Sequence, residues 1–225
     1  MFRLVLAMFP ALCLALPAWT QAVPTRPPVL EHPVVLEKPP EAFVLVNASL
    51  RAADPLRADF VEEKRIHALK RPLKCSGRLV LSAKRGLYRA TVEPRVSELV
   101  LASTEIAQRD AAGRIERIDV AKQPIVKSFV DAFLVVLSGD TVALGARFHI
   151  YFSGSPEQWT LGFVPRQEPL SKLIASIVVE GRQGSVERYV VTEKSGDSTT
   201  VTWTNVVSRS PLTADEEKRY FDWAK

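Results

Sequence analysis

The chain holds three histidines, His32, His67 and His149, and their spacing decides what metal or proton-transfer chemistry is open to it. None stands in an H-E-x-x-H pair or beside a cysteine cluster, so the usual zinc ligand patterns do not occur. His149 reads as an outward strand residue. A serine nucleophile would want a G-x-S-x-G elbow, and a phosphate cradle a P-loop or a G-x-G-x-x-G turn. The nearest glycine-rich stretch, Gly181-Arg182-Gln183-Gly184, lacks the strand-to-helix setting and reads as a hairpin turn. Glu62-Glu63 and Asp215-Glu216-Glu217 lie among lysines and arginines, which marks solvated faces rather than a general acid and base. Cys75 is most simply a small buried apolar side chain. The sequence therefore predicts neither an enzyme nor a resident cofactor or metal.

Charge is more informative. Residues 57–95 hold 11 Lys or Arg against 4 Asp or Glu, a local +7 in a chain of formal charge +5. Nucleic-acid binding would interleave such a patch with exposed aromatics. Only Phe60 and Tyr88 fall there, so no nucleic-acid partner is expected. Two readings stay open: contact with anionic headgroups or an acidic protein face, or ordinary outward strand positions.

The elements come next. Arg3 followed by apolar residues 4–16 reads as a secretory signal, too short to span a bilayer. Thr20-Gln21-Ala22 places cleavage after Ala22, with Ala18 the other candidate. Cys13 leaves with this leader, and Leu12 before it argues against a lipid anchor. The remaining chain keeps Cys75 alone, so it has no internal disulfide, and the periplasm is the expected compartment. Residues 23–41 carry six of the 16 prolines and read as an extended tether without a packed core. The domain spans 42–225, a length that buries roughly 70% of the unfolded surface.

Phe43, Val46 and Leu50 give a first helix over 42–53, ended by Asp54-Pro55. Alternating apolar residues then predict short strands punctuated by Lys84-Arg85-Gly86, Glu93-Pro94 and the turn at 110–113. Residues 56–69 fit a strand or a helix equally well. Val126, Phe129, Val130, Phe133, Leu134 and Leu137 recur at helical spacing and predict the clearest helix, closed by Ser138-Gly139-Asp140. Strands resume over 147–153, 158–164, 175–180, 186–194 and 199–206. Thr213-Ala214-Asp215-Glu216 is a capping box that opens a terminal helix running to 224. The fold class is mainly β: one large antiparallel sheet of ten or eleven strands with a few helices against it. Such a sheet either closes over its own apolar side chains or leaves a hollow for a greasy ligand, and composition does not choose.

The order of motifs resembles a known family. Leu56-Arg57-Ala58-Asp59-Phe60, Gly77-Arg78-Leu79, Lys84-Arg85-Gly86-Leu87-Tyr88-Arg89, Glu93-Pro94, Gly139-Asp140, Trp159-x-Leu161-x-Phe163-x-Pro165 and Gly196-Asp197-x-Thr199 follow the pattern of the LolA-type periplasmic outer-membrane lipoprotein carriers. That resemblance implies an incomplete antiparallel barrel with helices over its concave face, and it makes 56–66 a strand. It also implies an apolar hollow that shields lipoprotein acyl chains, filled from an inner-membrane release transporter and emptied to an outer-membrane acceptor. Carried over by position, the hollow would be lined by Leu79, Leu81, Tyr88, Val92, Phe148, Ile150, Phe152, Trp159, Leu161, Phe163, Val201 and Trp203, with Phe129, Phe133 and Leu137 on the covering helix. Lys84 or Arg85 would hold that helix as a lid. The protein would act as a monomer. Two alternatives stand beside a lipoprotein cargo: a free lipid, polyene or glycolipid for a different exporter, or a filled envelope scaffold or sensor that carries nothing.

Overall fold

A computed structural model of the chain describes residues 26–138 and 140–224, leaving aside the side chains at 133, 134, 136–138 and 224. The leader with its cleavage points, Cys13, Gly139 and the side chains of Phe133 and Leu137 lie outside the described residues.

Eleven strands form one sheet: β1 (Leu56–Arg65), β2 (Leu73–Ser82), β3 (Gly86–Glu93), β4 (Ser97–Leu101), β5 (Glu105–Asp110), β6 (Ile115–Asp119), β7 (Phe148–Ser155), β8 (Gln158–Pro165), β9 (Ile174–Arg182), β10 (Ser185–Glu193) and β11 (Ser198–Ser208). Their order is β6-β5-β4-β3-β2-β1-β11-β10-β9-β8-β7, and every neighbouring pair is antiparallel. The sheet is open, with β6 and β7 as its edges, and the first and last strands meet in its middle.

Short turns make this pairing possible. Between β9 and β10, Gln183 and Gly184 both adopt positive φ, 49° and 76°, the backbone of a two-residue hairpin turn whose twist suits the flanking strands. Residues 56–65 resolve as strand, with Leu56, Ala58 and Phe60 buried and Val61 exposed.

Among the described residues, five α-helices complete the fold: α1 (Glu41–Arg51), α2 (Pro124–Ser138), α3 (Thr141–Arg147), α4 (Leu170–Leu173) and α5 (Ala214–Phe221). α3 and α4 go beyond the elements read from periodicity. Asp140, expected to close α2, instead opens α3 by accepting the backbone N–H groups of Val142 and Ala143 at 3.0 and 3.1 Å. The capping box of α5 is present with both of its hydrogen bonds.

α2 and α3 connect the two edge strands, and this arrangement gives the sheet its curl. Val126 and Val130 of α2 pack against Ile106 of β5. Ala132 joins the cluster that holds Phe148 of β7 and Trp159 of β8, with Phe129 and Val135 packed against it. One helix shares apolar clusters with strands from both ends of an eleven-stranded sheet, as a sheet bent round it would bring about. The face under α2 is therefore the concave one.

The proline-rich segment departs from the expectation of a free tether. Pro28–Glu31 forms a 3-10 turn with proline in its first position, and Val29 and Leu30 are buried against Tyr151, Val164 and Val178 on the convex face. The chain then crosses β7: the Val34 N–H donates to the Ile150 carbonyl at 2.8 Å, and the Phe152 N–H to the His32 carbonyl at 3.0 Å. Val34 and Leu36 finish on the concave side. Gly162 makes room for this docking, since a methyl there would meet Leu30 Cδ2 at 2.7 Å. Proline content removes donors but leaves Val29, Leu30, Val34 and Leu36 free to pack, and the segment covers an edge that would otherwise invite pairing with another chain.

Candidate functional site

Cross-strand register sorts every strand residue onto one face. Leu56, Ala58 and Phe60 of β1 stand opposite Leu81, Leu79 and Gly77 of β2. Leu81 and Leu79 in turn stand opposite Leu87 and Arg89 of β3, so in β3 the odd-numbered residues face inward. On the far side, Trp159, Leu161 and Phe163 pair with Gly181, Val179 and Ile177.

Three apolar clusters cover the concave face. One joins Phe148, Ile150, Phe152, Trp159, Leu161 and Phe163 to Phe43 and Val46 of α1, Leu144 of α3 and Leu170 of α4. A second joins Leu56, Ala58, Phe60, Leu79, Leu81 and Val201, with Trp203, Tyr189 and Leu87 at its border. The third lies under the other flank of α2, with Leu99, Leu101 and Ile118 half-buried at its margin. Phe129, Val135, Ile177, Val179 and Val191 are likewise half-buried round the first cluster. The face is thus apolar and mostly filled by its own side chains, with a half-buried apolar border beside α2.

Of the residues expected to line a hollow, Leu79, Leu81, Phe129, Phe148, Ile150, Phe152, Trp159, Leu161, Phe163, Val201 and Trp203 fall on this face. Tyr88 and Val92 do not. They sit one residue out of register, on the convex face, where Tyr88 packs beneath Tyr220 and Phe221 of α5 and Val92 is 51% exposed. The Tyr88 hydroxyl donates to Glu98 at 2.6 Å, and burial together with that carboxylate pushes its pKa up. Phe60, Val126, Val130 and Ile106 are concave-face residues that the residue-by-residue expectation missed, although their alternation or helical spacing is visible in the sequence.

The arginine expected to hold the lid does something else. Lys84 is exposed. Arg85 donates to Glu217 at 3.0 Å and Asp222 at 2.5 Å, and its guanidinium lies 5.2 Å from the Phe221 ring centre. All three contacts go to α5 and the turn after it, on the convex face. Arg85→Ala is therefore expected to lower stability by about 1–3 kcal/mol, through two lost ion pairs and lost packing on Phe221, and to leave acyl-probe binding unchanged. Urea midpoints and a probe titration check both halves.

The basic stretch is largely neutralised in the fold. Seven of its eleven cations, Arg57, Lys64, Arg65, Lys74, Arg78, Arg85 and Arg89, are in ion pairs. Most of these point outward. Arg89 points inward: it donates to Glu62 at 2.9 Å and to Cys75 Sγ at 3.2 Å, and stacks 4.3 Å over the Phe60 ring centre. Burial, then the Glu62 charge, pushes the Cys75 thiol up to about 11. Cys75 is therefore expected to alkylate about a hundredfold more slowly than an ordinary thiol at pH 8, as timed iodoacetamide labelling followed by mass spectrometry would show. Tyr189 is likewise pushed up to about 12, by burial first and Glu62 second.

The polar residues flagged for chemistry are dispersed. His149 is exposed, and His67 serves by its backbone N–H, which donates to Asp197. Glu63 pairs with Arg65 and Lys74 at the surface. Among the described residues no group of three or more His, Cys, Asp or Glu gathers to hold a metal. Nor, among those residues, is any helix long and apolar enough to cross a membrane.

Comparison with known proteins places this geometry in a family. The family model described as outer membrane lipoprotein carrier protein LolA-like matches residues 42–206 of the 225. The chain belongs to this LolA-like family. The match runs from within α1 to within β11, so both the β7-wrapping segment and α5 lie outside it. No individual curated protein matches the sequence. Among solved structures, a DUF1329 family protein from Desulfovibrio piger is 9% identical, with a TM-score of 0.46 over 82% of this chain and 98% of that one. A LolA superfamily protein from Nitrosomonas europaea is 6% identical, TM-score 0.43, over 82% and 100%. A putative outer membrane lipoprotein-sorting protein domain from Vibrio parahaemolyticus is 12% identical, TM-score 0.41, over 78% and 96%. The LolA-like family is described as one of carriers, and the open eleven-stranded sheet with helices over its concave face is the LolA-like fold.

Proposed function

We propose that this protein is a periplasmic carrier that shields the acyl chains of lipoproteins between the inner and outer membranes, without making or breaking a bond. The observation that carries this reading is α2 seated across an apolar concave face on two separate clusters, with half-buried Phe129, Leu99 and Val191 at its borders. A helix held mainly by side-chain packing can be exchanged for another apolar body of similar shape. The acyl chain would enter as α2 lifts, replacing helix contacts with its own.

Magnitudes make the exchange workable. A sixteen-carbon chain hides about fifteen methylenes at ~0.8 kcal/mol each, so roughly 12 kcal/mol is the upper bound. Lifting α2 exposes apolar helix and sheet surface that offsets much of this. The remainder holds the cargo in transit yet lets an acceptor take it. In this account the protein receives cargo from an inner-membrane release transporter and gives it up at the outer membrane, and it acts as a monomer whose β7 edge is covered by its own chain.

Exchange of a fluorescent sixteen-carbon fatty acid tests the reading. Saturable uptake by the mature chain, reversed by unlabelled acyl competitor, is expected; no uptake at any protein concentration would overturn it. Deleting the gene should strand lipoproteins at the inner membrane. Normal sorting together with saturable uptake would move the cargo from lipoprotein to another lipid.

A further inference from the structure

Two half-buried ion pairs interrupt the concave face: Lys64 with Glu193 at the far end of β1, and Arg89 with Glu62, an island beside Phe60. Arg89 reaches from β3 over Gly77, which has no side chain, to Glu62 on β1. Both of its bonds to the protein, to Glu62 and to Cys75, leave from Nη2. The Nε and Nη1 donors take up no partner among the described residues, and the guanidinium plane is fixed by the Phe60 ring beneath it. Beside Phe60, directly opposite it on β11, stands Trp203. Its indole Nε1–H is sealed from water and has no hydrogen-bond acceptor among the described residues. A buried donor left unpaired is costly, and folded proteins rarely keep one without a use. Trp159 and Trp223 also bury an unpaired indole N–H. However, Trp159 is closed in at 1% exposure and Trp223 packs with α5 on the convex face. Only Trp203 joins the cluster that borders the Arg89 island.

The charge of the island decides what it binds. A free carboxylate or a phosphate approaching Arg89 would meet Glu62, whose carboxylate is 2.9 Å from the guanidinium. The pair is neutral as a whole, and what it offers is donors without net positive charge. We infer that Arg89 and Trp203 form a subsite for a neutral carbonyl oxygen, that of an acyl ester or amide, at the polar end of the chain held on the concave face. The inference rests on the carrier reading and adds to it a preference for linked over free acyl chains. The subsite requires that cargo entry uncover the Trp203 N–H, which is sealed from water in this structure. Gly77 lets β2 and β3 close up beside this site, since a Cβ there would run into the Ala90 carbonyl before it met the Phe60 ring at 3.0 Å.

The test is displacement of a fluorescent acyl probe from the mature chain at pH 8 by hexadecane, methyl palmitate, N-methyl palmitamide and palmitate. The ester and the amide should displace the probe at about tenfold lower concentration than hexadecane or palmitate, and the stronger of the two identifies the linkage. Within Trp203→Phe and within Arg89→Met, the ester and the amide should each fall to about the potency of hexadecane measured on the same variant. Glu62→Gln, which frees the arginine's charge, should move palmitate ahead of the ester. A second readout needs no variant: the Trp203 indole N–H resonance should shift with methyl palmitate and stay still with hexadecane. Equal potency of ester and hexadecane with an unmoved Trp203 resonance would overturn the subsite and leave the carrier reading standing. Displacement by none of the four would overturn the carrier reading and the subsite together.

Discussion

Trp159→Ala should cost about 3–5 kcal/mol, the loss expected when a fully buried aromatic is truncated and its space only partly refills. Trp159 is 1% exposed on β8, and its ring lies over Gly181, where a methyl would meet Trp159 Cη2 at 2.6 Å. It stands in the same cluster as Phe43 and Val46 of α1 and Ala132 of α2, so its loss loosens the floor on which both helices rest. At 2–4 °C per kcal/mol for a domain of this size, the melting temperature should fall by about 10 °C. Trp159→Phe should lose markedly less, because most of the ring contact survives. A fall of only a degree or two in Trp159→Ala would show that the concave cluster is not the domain's main core.

Val130→Asp should produce the largest functional effect. Val130 is 1% exposed beneath α2, against Ile106 and Val120, and the hydrophobic cluster offers a carboxylate no partner. Leaving a charge buried and uncompensated costs about 3–5 kcal/mol, and the molecule escapes that cost by lifting α2. Since 1.4 kcal/mol is tenfold in an equilibrium constant, the open fraction should rise by at least a hundredfold and acyl exchange should accelerate with it. The pH dependence has a definite sign. In the closed state the buried aspartate is easier to keep neutral, so its pKa there is raised; closure is favoured at low pH and lost as pH rises through that value. Fast exchange at pH 8 that slows on acidification is the expected pattern. Val142→Asp, at a position 80% exposed on α3, should leave exchange unaltered. Unchanged exchange in Val130→Asp, with the fold intact, would show that α2 is not the moving cover.

The two residues of β3 show where sequence reading stops. Tyr88 and Val92 make as apolar a row as Leu87, Arg89 and Thr91 make a mixed one, so period alone turns the strand the wrong way. The register is set instead by α5, whose Tyr220 and Phe221 give Tyr88 a second apolar layer to bury in. Arg85 follows the same logic. Its place in the turn before an aromatic strand is legible, but its partners Glu217 and Asp222 are more than 130 positions away. By contrast, β7 and β8 carry Phe148, Ile150, Phe152, Trp159, Leu161 and Phe163 in strict alternation, and their other face offers only Tyr151 and Val164 as large apolar rivals. Most of the other strands were legible for the same reason, since their turns are marked by a glycine, proline or polar run, whereas β1 fitted a helix as well and was settled only by the family resemblance. The docking of Val29 and Leu30 was hidden because proline density speaks only to backbone hydrogen bonding, while those two side chains respond to a seat at Gly162 that folding creates.

The central claim is that the concave face under α2 takes an acyl chain. Native mass spectrometry of the mature protein purified from the periplasm, followed by denaturation and lipid identification, tests it most directly. The account predicts a bound species one acylated molecule heavier than the bare chain, released on denaturation and carrying an ester or amide linkage. A bare mass throughout, in a protein that also refuses a fluorescent acyl probe, would contradict it and leave a filled scaffold.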